Sequence, residues 1–279
     1  MALGPQLARM LTPSSLLPIA LEAIGIANEI IRTHRPGTLT EKGERDIASE
    51  VDFAVERRLR EFFAQRTPSI GFLGEEEGPT PGASRAMAWT LDPVDGTVNF
   101  VHGIPLCAVA LALIDHDQPV FGVIDLPFLG ARYWAAQGQG AFLNDRRLQL
   151  AGAPQLCDAI VALGDFAVGP EAAQENPLRF EVTNQIASQA LRVRMIGSAA
   201  IDMAWLAEGK IDASITLCNR PWDMAAGVVL AREAGARVVD MDGSEYRMGS
   251  RAVLACAPAL TDQLVSIVRR AERRLRARI

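Results

Sequence analysis

Histidine and cysteine are scarce in this chain, and both shortages narrow its chemistry. Among 279 residues there are three histidines, His34, His102 and His116, too scattered to suggest ligands. The four cysteines, Cys107, Cys157, Cys218 and Cys256, are widely spaced with no C-x-x-C pair. That argues against a disulfide framework or a zinc site and fits a reducing cytoplasm. No run of 18 or more apolar residues suggests a membrane span. The first 17 residues, broken by Pro5, Arg9 and Pro13, lack the continuous apolar stretch of a signal peptide and read as a loose extension. A glycine-rich nucleotide loop, a C-x5-R motif and a Ser/His/Asp arrangement are missing too. Net charge is −5, so global charge gives no hint of nucleic-acid binding. Arginines 269, 270, 273, 274, 276 and 278 could touch RNA or another acidic partner, but they also suit the negative end of a terminal helix.

What the chain does have is clustered acid. Asp92-Pro93-Val94-Asp95-Gly96-Thr97-Val98-Asn99-Phe100 follows Met87-Ala88-Trp89-Thr90-Leu91, an apolar stretch that reads as a buried strand. Pro93 fixes its own φ and removes a donor, and Gly96 permits a tight turn, so Asp92 and Asp95 can converge. Converging anions repel unless a cation lies between them, and oxygen ligands suit a hard metal, foremost Mg²⁺. The alternative is an Asp-Pro turn followed by an Asp-Gly turn. Upstream lies Gly74-Glu75-Glu76-Glu77-Gly78 and downstream Trp222-Asp223-Met224-Ala225-Ala226-Gly227. Taken singly, the triple acid reads as a solvated loop and Asp223 as a helix N-cap.

Hydrophobic content is 49%, ample for one large domain or two closely packed lobes. Apolar periodicity predicts helices from Pro18 to about His34 and from about Val51 to Gln65, with Asp52 in the first turn of the latter. A polar stretch, Thr38 to Ser49, separates them. Strands are expected at Ile70–Leu73, Cys107–Ile114, Val120–Ile124 and Ala131–Ala136, the marks of an α+β lobe. The second half alternates: strands at Ala159–Leu163, Val193–Ile196, Ile211–Leu217, Ala236–Asp240 and Ala252–Ala255. Helices are expected at Glu175–Ala190, Ser198–Glu208, Asp223–Ala234 and Ala259–Arg276. Such alternation predicts a mostly parallel or mixed sheet. No internal repeat and no long low-complexity linker is evident.

The three acidic segments, in order and spacing, resemble the signatures of the inositol monophosphatase family, Mg²⁺-dependent, lithium-sensitive phosphomonoesterases. The similarity runs from about Leu16 to about Ala271. It implies an α+β fold, a layered α/β/α/β/α sandwich. Residues 1–15 would be an extension and 16–272 a single domain. Lobe 16–150 would carry the metal site, lobe 151–272 the substrate pocket, and 273–279 a basic end. By the same resemblance Asp92 bridges two metals. Glu75 and the Val94 carbonyl complete one site; Asp95 and Asp223 complete the other, with two or three Mg²⁺ in all. Glu75 with Thr97 orients and deprotonates the attacking water, Asp52 supports that network, and the Gly96 and Thr97 amides hold the phosphate. Lys42 corresponds loosely to a mobile-loop lysine. Glu76 is read as supporting the ligands, Glu77 as solvent-facing, Asn99 as a turn-stabilising amide and Phe100 as a core ring. His102 is read as a local capping or packing residue.

Gly197-Ser198-Ala199-Ala200 resembles the segment that contacts the sugar or cyclitol ring. Inositol-specific members place a Glu where this chain has Thr216. A hydroxyl cannot make that residue's charge-assisted hydrogen bonds, which weakens myo-inositol 1-phosphate as the preferred substrate. It remains the leading candidate, with histidinol phosphate, sugar (bis)phosphates and phosphoadenosine phosphate as rivals. Arg220 is read as a solvated loop residue or a contact for a second anionic group. The partners expected are a small phosphorylated metabolite and a second copy of the chain in a homodimer, with no membrane and no nucleic acid. A regulatory RNA- or protein-binding role of the same fold is the rival from another class.

Overall fold

A computed structural model describes residues 13–80 and 86–277. Two helices, α1 (Pro13–Thr33) and α2 (Glu50–Arg66), flank a hairpin of β1 (Leu39–Gly43) and β2 (Asp46–Ser49). Next come β3 (Gly71–Gly74), β4 (Gly78–Pro79), β5 (Met87–Asp95), the short α3 (Thr97–Val101), β6 (Ala108–Asp115), β7 (Gln118–Leu126), β8 (Ala131–Ala136), β9 (Gly140–Leu143) and β10 (Arg146–Leu148). Strands β3 to β10 form one sheet in the order β10-β9-β8-β7-β6-β5-β3-β4, antiparallel except where β3 runs parallel to β5.

The rest of the chain supplies β11 (Ile160–Leu163), α4 (Ala172–Ala187), β12 (Arg192–Arg194), α5 (Ala199–Glu208), β13 (Ala213–Thr216), α6 (Pro221–Glu233), β14 (Arg237–Val239), β15 (Val253–Cys256) and α7 (Thr261–Arg276). Its five strands are ordered β12-β11-β13-β15-β14, with the first three parallel and the last two pairings antiparallel. This is the mixed sheet that the alternation predicts.

Three apolar clusters fill the four interfaces between five layers, one of them covering both faces of the second sheet. Leu16, Ile24, Val55, Leu59 and Phe63 of α1 and α2 pack on Trp89, Leu91, Leu111 and Phe121 of the first sheet. The small opposite face, Ala108, Ala110, Ala112 and Ala135, receives Ala200, Ile201, Ala225 and Val229 of α5 and α6. The second sheet packs between Met203, Met224 and Val228 on one side and Val182, Leu264 and Val268 of α4 and α7 on the other. Order from one surface to the other is therefore α/β/α/β/α. Contact with the central helices is tight: a Cβ at Gly122 of β7 would stand 2.6 Å from the Ala226 carbonyl oxygen.

Several boundaries differ from expectation. Helix α1 begins at Pro13 rather than Pro18, which lies inside it. The expected extension 1–15 is thus helical from residue 13, and residues 1–12 lie outside the described residues. The polar stretch 38–49 forms the β1–β2 hairpin. Helices α4 and α6 begin and end a few residues early, and β13 is shorter than predicted. Helix α7 starts at Thr261 and runs to Arg276, so the basic end is mostly helix. Three of its arginines are engaged: Arg270 and Arg274 donate to Gln185 and Glu181 of α4, and Arg269 donates to the Asp242 carbonyl. Arg278 lies outside the described residues.

Asn99 joins the two sheets rather than only its own turn. Its Nδ2 donates to the carbonyls of Leu106 and Ile196, both at 2.8 Å, and Ile196 follows β12. Asn99→Ala is expected to lower stability by about 1–3 kcal/mol, because two partly buried carbonyls lose their donor. A melting temperature within a degree of the parent would refute that.

Candidate active site

The site forms where β5 stops being regular. Along a pleated strand, residues three apart face opposite sides. Pairing of β5 with β6 shifts between Asp92 and Asp95, and Pro93 sits in that irregularity with no amide to donate. The break brings Asp92 and Asp95 to the same cleft. Gly96 then takes a left-handed conformation, φ 85°, and α3 begins at Thr97.

Carboxylate oxygens of Glu75, Asp92 and Asp223 lie within 4.8 Å of one another. They arrive from three elements: the loop after β3, the end of β5 and the first turn of α6. Asp223 is not the N-cap that it resembles singly; Arg220 holds that position, and Pro221 leads the helix. Asp95 stands beside the three, with Oδ2 accepting from the Ser198 hydroxyl at 2.5 Å and the Ala200 amide at 2.7 Å. The Ser198 hydroxyl also accepts from the Ile201 amide, so it is committed to capping α5 and holding Asp95. Asp92 Oδ1 accepts from the Val94 amide at 3.1 Å.

Behind these acids, Asp52 links helix to site. It closes a capping box with Ser49 at the start of α2 and accepts from the Thr97 hydroxyl at 3.0 Å. That hydroxyl also lies 3.0 Å from the Val94 carbonyl, so its single proton has two acceptors in reach. Lys42, on the exposed hairpin, donates to Glu75 at 2.8 Å and to Glu76 at 3.0 Å. Glu76 has its side chain almost fully buried, and its Oε2 has no hydrogen-bond partner. Glu77 is partly exposed and pairs with Arg57 at 2.6 Å.

The electrostatics describe a site short of positive charge. Burial, then the charges of Glu75, Asp95 and Asp223, hold the Asp92 carboxyl well above the usual carboxylate range. Burial, then Glu75 and Asp95, does the same to Asp223. Asp95 is pushed up to about 6 by burial, against the hydrogen bonds from Ser198 and Ala200. Glu76 rises to about 7, again by burial first, with Lys42 opposing. An all-oxygen donor set that cannot comfortably stay ionised, with one nearby lysine and no histidine, fits a hard divalent cation.

The cleft encloses about 480 Å³ and is lined by Lys42, Asp46, Glu75, Asp92, Asp95 to Asn99, Asp165, Met195 to Gly197, Arg220 and Asp223. Gly197 reaches it. Thr216 is buried and does not line the cleft, and its Oγ1 is unpartnered. Ala199 opens α5, and its backbone amide also supports Asp95. Sequence reasoning missed Asp165, which follows β11 with no motif around it, and Glu56, hidden in the apolar pattern of α2. His102 closes α3 through its backbone, and Phe100 is a buried ring stacked on Phe128.

Known proteins resemble this chain in sequence and in fold. Residues 12–273 match the model of the inositol monophosphatase family. Inositol-1-monophosphatase ImpA of Mycolicibacterium smegmatis is 34% identical over 257 residues, 92% of each chain. An inositol-1-monophosphatase of Mesorhizobium japonicum is 38% identical over 229 residues, 82% of this chain and 85% of its own. Among solved structures, extragenic suppressor protein SuhB of Bartonella henselae superposes with a TM-score of 0.84 at 29% identity, covering 91% of this chain and 98% of its own.

Proposed function

Since this chain belongs to the inositol monophosphatase family and is a phosphomonoesterase, we propose that its acidic cleft hydrolyses a small phosphate monoester with Mg²⁺ as cofactor. The observation that supports this best is the convergence of Glu75, Asp92 and Asp223 within 4.8 Å. Asp95 and the Val94 carbonyl would complete the ligand set for two or three ions. Bound there, Mg²⁺ would neutralise phosphate oxygens, make water acidic enough to attack at neutral pH and stabilise the leaving alkoxide.

The chain's own groups do the rest. With the Val94 carbonyl committed to the cation, the Thr97 proton would go to Asp52, which would leave the Thr97 oxygen free to accept from the attacking water. Glu75 stands ready to take the proton that water loses. The Gly96 and Thr97 amides, at the start of α3, would face the phosphate. Gly197, with the Ser198–Ala199 backbone, borders the alcohol portion of the substrate.

Inositol 1-phosphate is the leading substrate, as the names of the relatives suggest. A second reading rests on Asp165. This exposed carboxylate on the cleft wall would suit a cationic alcohol, such as histidinol phosphate, better than a neutral cyclitol. With threonine at position 216, a cyclitol loses the acidic contact of inositol-specific members. A homodimer, inhibition by lithium and a cytoplasmic location belong to the same proposal. Among the described residues no helix is long and apolar enough to cross a membrane.

The test is phosphate release from inositol 1-phosphate, histidinol phosphate, fructose 1,6-bisphosphate, phosphoadenosine phosphate and glycerol 2-phosphate, with Mg²⁺ and with EDTA. The expected result is release that EDTA abolishes and Mg²⁺ restores. Activity unaffected by EDTA, or no activity on any ester, would sink the reading. A preference for histidinol phosphate that Asp165→Asn removes would decide for the second substrate.

A further inference from the structure

Glu56 is a fully buried carboxylate on α2, and no step above uses it. Its Oε2 accepts from the Glu76 amide at 2.8 Å, and its Oε1 accepts from the Glu77 amide at 2.9 Å. Arg60, one turn further along α2, donates to Oε1 at 2.6 Å. The same guanidinium reaches the Gly78 carbonyl at 2.8 Å and the Thr80 hydroxyl at 2.9 Å. One face of α2 therefore grips the acidic loop at its middle and at its exit. At its entrance β3 passes so close that a Cβ on Gly74 would lie 2.1 Å from the Glu56 carboxyl, so any larger residue there would push that carboxyl off its partners. Glu75 itself is tied by its amide to the Leu91 carbonyl at 3.1 Å, next to Asp92.

Filling space does not explain this choice of residue. A buried carboxylate beside Glu75, Glu76 and Glu77 is electrostatically costly, and an apolar side chain could pack against β3 without that cost. What the carboxylate alone offers is acceptors on both oxygens, turned to two consecutive amides, with no donor to oppose them. Two consecutive amides fixed this way set the backbone path just after Glu75. We propose that Glu56 is a positioning residue, and that its clamp on the Glu76 and Glu77 amides sets the Glu75 carboxylate where a divalent cation needs it. Asp52, one turn earlier on the same helix, holds Thr97, so α2 orients both halves of the site through carboxylates four residues apart. This rests on the reading that Glu75 is a metal ligand.

The experiment is Glu56→Gln in the full chain. Glutamine keeps the shape but presents a donor to one of its three donor partners. The Mg²⁺ concentration giving half-maximal phosphate release should rise about 10–100-fold, the usual effect of losing a group that holds a ligand in place. Maximal activity at saturating Mg²⁺ should change much less. Two readouts do not depend on turnover. The midpoint of Mg²⁺-induced thermal stabilisation should move by the same factor, and amide exchange at Glu76 and Glu77 should accelerate. A merely structural role would lower the melting temperature and leave the Mg²⁺ midpoint in place, which would overturn the proposal. Should Glu56→Gln not fold, Glu56→Asp, which keeps the charge but shortens the reach, must show a raised Mg²⁺ midpoint or the proposal falls. A parent protein inert on every ester but stabilised by Mg²⁺, with the midpoint moved in the variant, would overturn the assigned reaction and leave the clamp standing. A parent that Mg²⁺ does not stabilise would overturn the clamp.

Discussion

Replacing Asp92 by asparagine should abolish phosphate release and make the metal-free protein more stable. The two outcomes have one cause. Asp92 is buried among Glu75, Asp95 and Asp223, and burial plus those charges hold its carboxyl well above the usual range. Without a cation, an ionised Asp92 at neutral pH therefore opposes folding. Asparagine removes that charge and keeps an oxygen to accept from the Val94 amide. A higher melting temperature than the parent's, measured in EDTA, is expected. With Mg²⁺ the order should reverse, since only the parent can bind the ion fully. Loss of activity should exceed the ~10–100-fold typical of disturbing a group that merely holds a ligand. A variant less stable than its parent in EDTA would show that Asp92 serves the fold and not a ligand site.

The second large effect is a dependence of Mg²⁺ stabilisation on pH. In the metal-free protein Asp92, Asp95 and Asp223 have folded-state pKa values above those of the unfolded chain, Asp95 at about 6. The stability tied to their protonated forms is fully present below the unfolded pKa of roughly 4 and lost as pH rises through the folded values. Binding Mg²⁺ requires the ionised forms, so the loaded protein behaves oppositely and loses its advantage as pH falls. The difference in melting temperature with and without Mg²⁺ should be small near pH 5 and grow steadily towards pH 8. Taking that difference cancels the titration of every carboxyl remote from the site. A Mg²⁺ shift that is flat across this range would remove the assigned carboxylates from the binding site.

Much of this architecture is legible in the chain because its signals are local and strong. The apolar run before Asp92 and the Pro93 and Gly96 punctuation place two acids at a strand end, and the structure puts them there. Other parts leave no local trace. Strand β1 is exposed at every residue, so no hydrophobic alternation marks it against a loop. Asp223 resembles a helix cap in sequence, since a first-turn aspartate satisfies that pattern whether or not it faces other acids. Glu56 sits in an amphipathic helix at a position that a solvent-facing acid could equally fill. Only the return of β3 beside α2 reveals its partners. Gly164, beside Asp165, is brought against Thr216 by the parallel pairing of β11 and β13, a relation between residues 52 apart. Such pairings are invisible to periodicity, and they set where Asp165 meets the cleft.

The three converging acids also come from two adjacent layers of the sandwich and from distant parts of the chain. Glu75 and Asp92 leave the first sheet, and Asp223 stands on α6, the helix that packs on both sheets. An ion shared among them would act as a reversible crosslink, closing chain loops of about 17 and about 131 residues as a disulfide would. Unfolding would then have to wait for the ion to leave. A cell that starves this protein of its cation would not only silence it but shorten its lifetime against proteases, so that the supply of metal would govern abundance as well as activity.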